Sequence, residues 1–182
     1  MHNLCMKTPI NDDLLLDTFD LKLLTALQNN ALATNQELGD LVHLSGSQVS
    51  RRVQRLHANG LIRQYTALLD AQLLGLTVRA ITAVSLLRHG GDEGRAFEAA
   101  IQDMPEVLAC DSVTGEADYI LQIVAANLAD LSDSVLRRLT ALEGVSSIRS
   151  NLVLQRIKSS TELPLQHLSR NSGQARVAKL VS

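Results

Sequence analysis

Aromatic side chains are almost missing from this chain of 182 residues: Phe19, Tyr65, Phe97 and Tyr119 are the full set, and there is no tryptophan. A core made from it is aliphatic, and a platform of rings on which bases stack has no material. Cysteine is equally scarce. Cys5 and Cys110 are too far apart in sequence to suggest a zinc knuckle, and two cysteines make no disulfide framework. Every apolar run is broken by Arg, Thr or Gln before it reaches the roughly 18 residues of a membrane span. Residues 1–10 contain Pro9 and no apolar stretch leading to a cleavage site, so export is not expected. The expectation is a cytoplasmic protein that does not cross a membrane. Hydrophobic residues at 46% and charged residues at 20% fit a globular chain of one ordinary domain or two small ones.

Acidic residues are missing from one stretch in particular. Residues 41–69 carry Arg51, Arg52, Arg55 and Arg63 and no carboxylate, a local charge of +4. Residues 1–40 set Lys7 and Lys22 against six carboxylates, and residues 71–158 carry eight bases against eleven acids. The formal charge of −2 therefore hides a cationic island. Net charge governs solubility, whereas the local field decides where an anion docks.

The island lies in a segment, 17–70, that reads as three short helices. Asp17 and Thr18 suit the cap of a first helix running to about Asn29. Leu21, Leu24 and Gln28 fall on one line of it, and Phe19, Leu23 and Leu27 on the next. Thr34-Asn-Gln-Glu37 is a capping box opening a second helix, which contains Gly39, Leu41 and Val42. Ser45-Gly-Ser-Gln48 repeats the box with glutamine and opens a third, after the short gap of a helix-turn-helix. On a helical wheel Val49, Val53 and Leu56 form the buried stripe of that third helix. Ser47, Arg51, Gln54, Arg55 and Ala58 lie opposite, with Gln48 and Arg52 on the flank. Such a face suits the major groove, because Arg donates two bonds to guanine, Gln pairs with adenine, and spare arginines hold phosphates. No acid of the segment stands opposite the arginines, which distinguishes this face from the solvated side of a plain helix bundle. Gly60 is placed to end the helix in a left-handed cap. Leu61–Thr66 is expected to be a strand, the wing of a winged helix-turn-helix.

After a linker, 71–75, residues 76–158 alternate strands and helices. Thr77–Leu87 alternates Val78, Ala80, Thr82, Val84 and Leu86 with Arg79, Ile81, Ala83, Ser85 and Leu87, as a strand does. Gly90-Gly91 breaks the chain. A helix is predicted over Asp92–Met104, with Ala96, Phe97, Ala100, Ile101 and Met104 on one face. A strand to about Val113, the turn Thr114–Asp118 and a strand over Tyr119–Ala125 follow. Asn127 caps a helix bearing Leu128, Leu131, Val135, Leu139 and Leu142, and a last strand runs from Gly144 to about Ile157. Pro-Glu-Val107 and Glu-Gly-Val145 recur at an offset of 38 positions, marking two halves. The order βαββαβ is that of the ferredoxin-like fold, so the chain is α+β. Its helices cover one face of the sheet. Ile81, Ala83 and Leu87 on the other are too apolar to stay wet, which predicts a partner sheet and a dimer. RNA-binding proteins of this topology stack bases on sheet aromatics, and only Tyr119 is available, so RNA is not an expected partner.

The stretch "DLKLLTALQNNALATNQELGDLVHLSGSQVSRRVQRLHANGLIRQYTALLD", then "MPEVLACDSVTGEADYILQIVA", "LEGV" and "VLQRIK", resembles the Lrp/AsnC family of regulators over about residues 17–158. The resemblance implies that 17–70 binds double-stranded operator DNA as a dimer. It also implies that 76–158 dimerises, assembles into tetramers or octamers, and binds a small effector, usually an amino acid, between protomers. Ser47, Gln48, Ser50, Arg51, Arg52 and Arg55 match the recognition helix, and Gln54 joins them from the wheel. Val113, Thr114 and Gly115 with Asp118 and Tyr119 match the effector loop. Gly115 would let a ligand approach the backbone, the turn amides would take a carboxylate, and Asp118 an ammonium. Gly46 departs from the family, whose members often have Pro there. The extension 1–16 and the tail 159–182, with Arg170, Arg176 and Lys179, match nothing in the core pattern, and the tail is expected to be a solvated end.

No catalytic residue and no metal is predicted, and no cofactor beyond an amino-acid effector. Gly90-Gly91-x-x-Gly94 lacks the Gly-Lys-Ser/Thr of a phosphate loop. His2, His43, His57, His89 and His167 are scattered singly. An alternative is an enzyme resembling the siroheme decarboxylases, whose second domain here would offer His89 alone. A further alternative is a stand-alone amino-acid-binding module with a vestigial helix-turn-helix.

Overall fold

A computed structural model describes residues 15–88, 91–169 and 175–176. They divide into two compact units: residues up to Ala67 together with those from Lys158 onward, and Leu68–Ile157.

The first unit is built on helices α1 (Thr18–Asn29), α2 (Asn35–Val42) and α3 (Gly46–Ala58). All three open with reciprocal capping boxes, Asp17 with Asp20, Thr34 with Glu37 and Ser45 with Gln48. Each box satisfies backbone N–H groups that the first turn leaves without partners. Leu23, Leu27, Leu38, Val42 and Val49 pack into one buried cluster, with Val53 half-buried beside them. A second cluster joins Leu16 and Leu56 to Leu21, Leu24, Leu61 and Leu168.

The helix α3 ends as expected. Gly60 is left-handed at φ 73°, its N–H donates to His57 O at 2.9 Å, and the Leu61 N–H donates to Leu56 O at 3.0 Å. These are the two bonds of a Schellman motif. The wing, however, is not a strand. Leu61 and Ile62 are drawn back onto Leu56 and into the core, and among the described residues no second strand lies alongside 61–66. A ladder needs a partner, and among the described residues this stretch has none.

The tail also departs from the solvated end that was expected. Leu163 N–H donates to Gln28 Oε1 at 2.6 Å, and Gln28 Nε2 donates to Leu163 O at 3.3 Å. The short helix α6 (Gln166–Ser169) sets Leu168 against Leu16 and Leu56. Strand β1 (Leu15–Leu16) pairs antiparallel with β6 (Ala175–Arg176). Arg170 and Lys179 lie outside the described residues.

The second unit runs β2 (Val78–Leu86), α4 (Asp92–Gln102), β3 (Val107–Ser112), β4 (Tyr119–Ala125), helix α5 and β5 (Val145–Leu152). Helix α5 is π-wound over Asp130–Leu136 and α-wound over Arg137–Thr140. The sheet order is β3-β4-β2-β5, with every pair antiparallel, which is the ferredoxin-like arrangement. Ala80, Val84, Leu121 and Ile123 face Phe97, Ile101, Leu131, Val135 and Leu139 across the core.

Three expectations shift here. Ala96 is exposed and Gly94 takes its place on the buried face of α4, because a side chain at 94 would crowd the Tyr119 hydroxyl, 3.2 Å from where a Cβ would stand. Leu128 is exposed, leaving the stripe to Leu131, Val135 and Leu139. Strand β5 stops at Leu152, where its partner β2 is nearly exhausted. Of the paired glycines only Gly91 is described, left-handed at φ 79°. No described helix is long and apolar enough to cross a membrane.

Candidate functional site

Helix α3 presents Ser47, Gln48, Arg51, Gln54 and Arg55 at the surface, with Ser50 and Arg52 half-buried. Val49 and Leu56 are fully buried on the opposite side, so the wheel predicts the face correctly. Within that face the residues are not equivalent. Gln48 Oε1 accepts from the Ser45 N–H and hydroxyl, both at 3.0 Å, so half of its amide serves the cap.

Arg52 Nη1 donates to Asp17 Oδ2 at 2.7 Å and to Asp20 Oδ1 at 2.8 Å. Its guanidinium also sits 5.4 Å above the Phe19 ring, within cation–π range. Arg55 Nη2 donates to the other Asp20 oxygen at 2.5 Å. Asp20 has no exposed surface, whereas the side chains of Arg52 and Arg55 are 24% and 43% exposed. The acids that sequence reading found missing from 41–69 are thus supplied from 32 to 35 positions upstream. Partial burial pushes the Asp17 carboxyl up, but the Asp20 N–H and the Arg52 guanidinium outweigh it and hold the group below its ordinary value. Burial likewise lowers Arg52, and the two aspartates reverse this to raise it. Arg51 makes no ion pair among the described residues.

The turn after β3 is pinned to the end of β2. Val113 N–H donates to Asp118 O at 2.9 Å, and Asp118 N–H donates to Val84 O at 3.0 Å. Asp118 Oδ2 accepts from the Leu86 N–H at 2.7 Å. Gly115 stands at φ 122° with open space around it, a conformation costly for any residue with a Cβ. Val113, Thr114 and Gly115 are exposed, and Asp118 is half-buried. The local role of Asp118 is therefore to organise the turn.

Tyr119 is not brought to the same place. It is buried in the helix-covered core, its ring 4.8 Å from Phe97 and its hydroxyl donating to Glu98 at 2.9 Å. Desolvation, then the hydrogen bond to Glu98 and its charge, pushes it up to about 12. Beside it lies a cavity of about 300 Å³ lined by Glu98, Ile101, Gln102, Cys110, Ser112 and Tyr119. Sequence reading missed Glu98 and Cys110, because neither belongs to a spaced motif. Burial raises the Cys110 thiol, with Asp111 and Glu98 adding to it. Among the described residues no three His, Cys, Asp or Glu side chains form a metal-binding group, and His89 lies outside them.

Residues 79–163 match the model of the Lrp/AsnC ligand binding domain, and residues 16–57 that of the AsnC-type helix-turn-helix domain. The chain is 37% identical over 150 residues to the leucine-responsive regulatory protein of Rhizobium meliloti, covering 82% of this chain and 96% of that one. It is 35% identical over 150 residues to the Bkd operon transcriptional regulator of Pseudomonas aeruginosa, covering 82% and 98%. Among solved structures, a transcriptional regulator of Neisseria meningitidis in complex with L-Met superposes with a TM-score of 0.80 at 41% identity, covering 84% and 99% of the two chains.

Proposed function

The chain belongs to the Lrp/AsnC family of transcriptional regulators, and we propose that α3 reads operator DNA through Arg51, Gln54 and Ser47 while an amino-acid effector docks at the Val113–Asp118 turn. The observation that carries the first half is the division of labour on α3: Arg51 is exposed and without an ion pair among the described residues, whereas Arg52 and Arg55 are engaged by α1. An exposed Arg on the outward face of a helix is the group that donates two bonds to guanine. Ser50 and Gln48 flank it as phosphate or base contacts. For the effector half, the backbone around Gly115 is open to a carboxylate, and Asp118 supplies negative charge for an ammonium. The N. meningitidis relative holds L-Met, so methionine is the first ligand to try.

Assembly follows from the uncovered face of the sheet. Ile81, Ala83 and Ile120 are half-buried there, an apolar strip that a second copy would cover. Dimers joined further into tetramers or octamers are the proposed working form, acting in the cytoplasm without catalysing a reaction. A panel of the twenty amino acids in a thermal-shift assay, with gel shifts on DNA upstream of the gene, tests the reading. A ligand that binds only the folded state must raise its melting temperature. The proposal expects one or a few amino acids to do so and the upstream DNA to be retained. No shift with any amino acid, or no retention, counts against the corresponding half. New haem absorption on mixing with haem would favour the decarboxylase alternative.

A further inference from the structure

We propose that Asp20, assisted by Asp17, acts as an internal substitute for DNA phosphate, withholding Arg52 and Arg55 from the DNA backbone and so setting the ratio of specific to non-specific binding. The inference rests on the reading of α3 as the DNA-contacting helix. Two guanidiniums and two carboxylates form one neutral group on the flank of α3. A carboxylate engages guanidinium in the same way as a phosphate does. Asp20 has both oxygens engaged by arginine, one to each, and Oδ2 also accepts the Asp17 N–H at 3.1 Å. It is buried, so solvent and salt screen the pairing little.

The consequence is a sorting of charge. Phosphate contacts add affinity without adding sequence information, whereas base contacts discriminate. Arg51, on the outward face, keeps its charge available, and Arg52 and Arg55 have theirs neutralised within the protein. Asp20 is thus a positioning residue: it touches no DNA and acts through the two arginines.

Asp20→Asn in the full chain preserves shape and an oxygen for the Asp17 N–H while deleting the charge. The measurement is fluorescence anisotropy on the upstream duplex and on a scrambled duplex of equal length, over a series of potassium chloride concentrations, for wild type and variant. Each arginine released to a phosphate should steepen the plot of log affinity against log salt by about 0.9. The variant should steepen by one to two such steps, bind the scrambled duplex roughly tenfold or more tightly at about 0.1 M salt, and discriminate less. Asp17→Asn, at a partly exposed position that touches only Arg52 of the pair, should steepen by a measurable part of one step and guards against a variant that fails to fold. Adding Arg55→Gln to Asp20→Asn should reverse one step. A carboxylate that merely braced the helix would lower affinity for both duplexes and leave the slope alone. Unchanged slopes in the variants, beside a wild type that binds, overturn this proposal and leave the reading of α3 intact. A wild type that binds neither duplex overturns both.

Discussion

Two glycines seven positions apart in the helix-turn-helix should respond to alanine with opposite signs. Replacing glycine in a helix interior ordinarily favours the fold by about 1 kcal/mol. At Gly39, inside α2, a Cβ would stand 2.4 Å from the backbone oxygen of Leu44. That oxygen belongs to the turn between α2 and α3, and the same Leu44 donates its N–H to Gly39 O at 3.0 Å, so the turn is closed against the helix from both ends. Restoring a normal contact requires the turn to retreat by close to 1 Å, prising α3 from α2 where Val42 and Val49 pack. Overpacking of this kind costs about 1–3 kcal/mol or more. With a rigid backbone atom as the obstacle, the clash outweighs the propensity gain, and a net loss of about 2 kcal/mol is expected. At Gly46 the nearest atom to a Cβ is 3.8 Å away, and its φ is not positive, so Ala there should add about 0.4–1 kcal/mol. Urea unfolding followed by tyrosine fluorescence measures this. Tyr65 reports the first unit and Tyr119 the second, and a Tyr119→Phe background isolates the first. Gly39→Ala unfolding at the wild-type urea concentration or above would refute the reasoning.

Other expectations follow from the same geometry. Tyr119 is raised to about 12, so it contributes stability that is complete below pH 10 and fades as pH climbs toward 12. The contribution is on the order of 3 kcal/mol; Tyr119→Phe should flatten that limb of a stability-versus-pH curve, and an unchanged limb would contradict the cause. Leu168→Ala should lower the urea midpoint of the first unit by the equivalent of about 1–3 kcal/mol and leave the second unit as it was. A tail that did not pack on Leu16 and Leu56 would show no effect. Asp118→Asn retains an acceptor for the Leu86 N–H, so calorimetry should find the fold kept but the effector-induced melting shift lost; a wild-type shift would remove Asp118 from the ligand contacts.

What could be read in advance was local. Capping boxes, the glycine at the end of α3 and the alternation of β2 depend on residues within a few positions of one another; Thr34 and Ser45 cap as predicted, and of the pair Asp17 and Thr18 it is Asp17 that caps while Thr18 begins the helix. The misjudged features depend on distant chain. Leu61–Thr66 has strand-like residues but, among the described residues, no strand beside it. The arginines of α3 read as unopposed because the acids that meet them, Asp17 and Asp20, stand 32 to 35 positions upstream, and a carboxylate can cap a helix and hold a guanidinium together. Tyr119 follows the Val113–Asp118 turn in sequence, yet strand alternation sends it into the core. The tail carries few signals by itself; what orders it is the groove beside α1, where Leu163 meets Gln28.

The central claim is that the outward face of α3 reads DNA with Arg51 foremost. Anisotropy titration of the upstream duplex with wild type and Arg51→Ala at one fixed salt concentration tests it most directly. Loss of a bidentate base contact should weaken specific binding by about 1–3 kcal/mol, roughly five- to 150-fold, with a much smaller change on the scrambled duplex. Equal affinity of the two proteins for the upstream duplex would contradict the account.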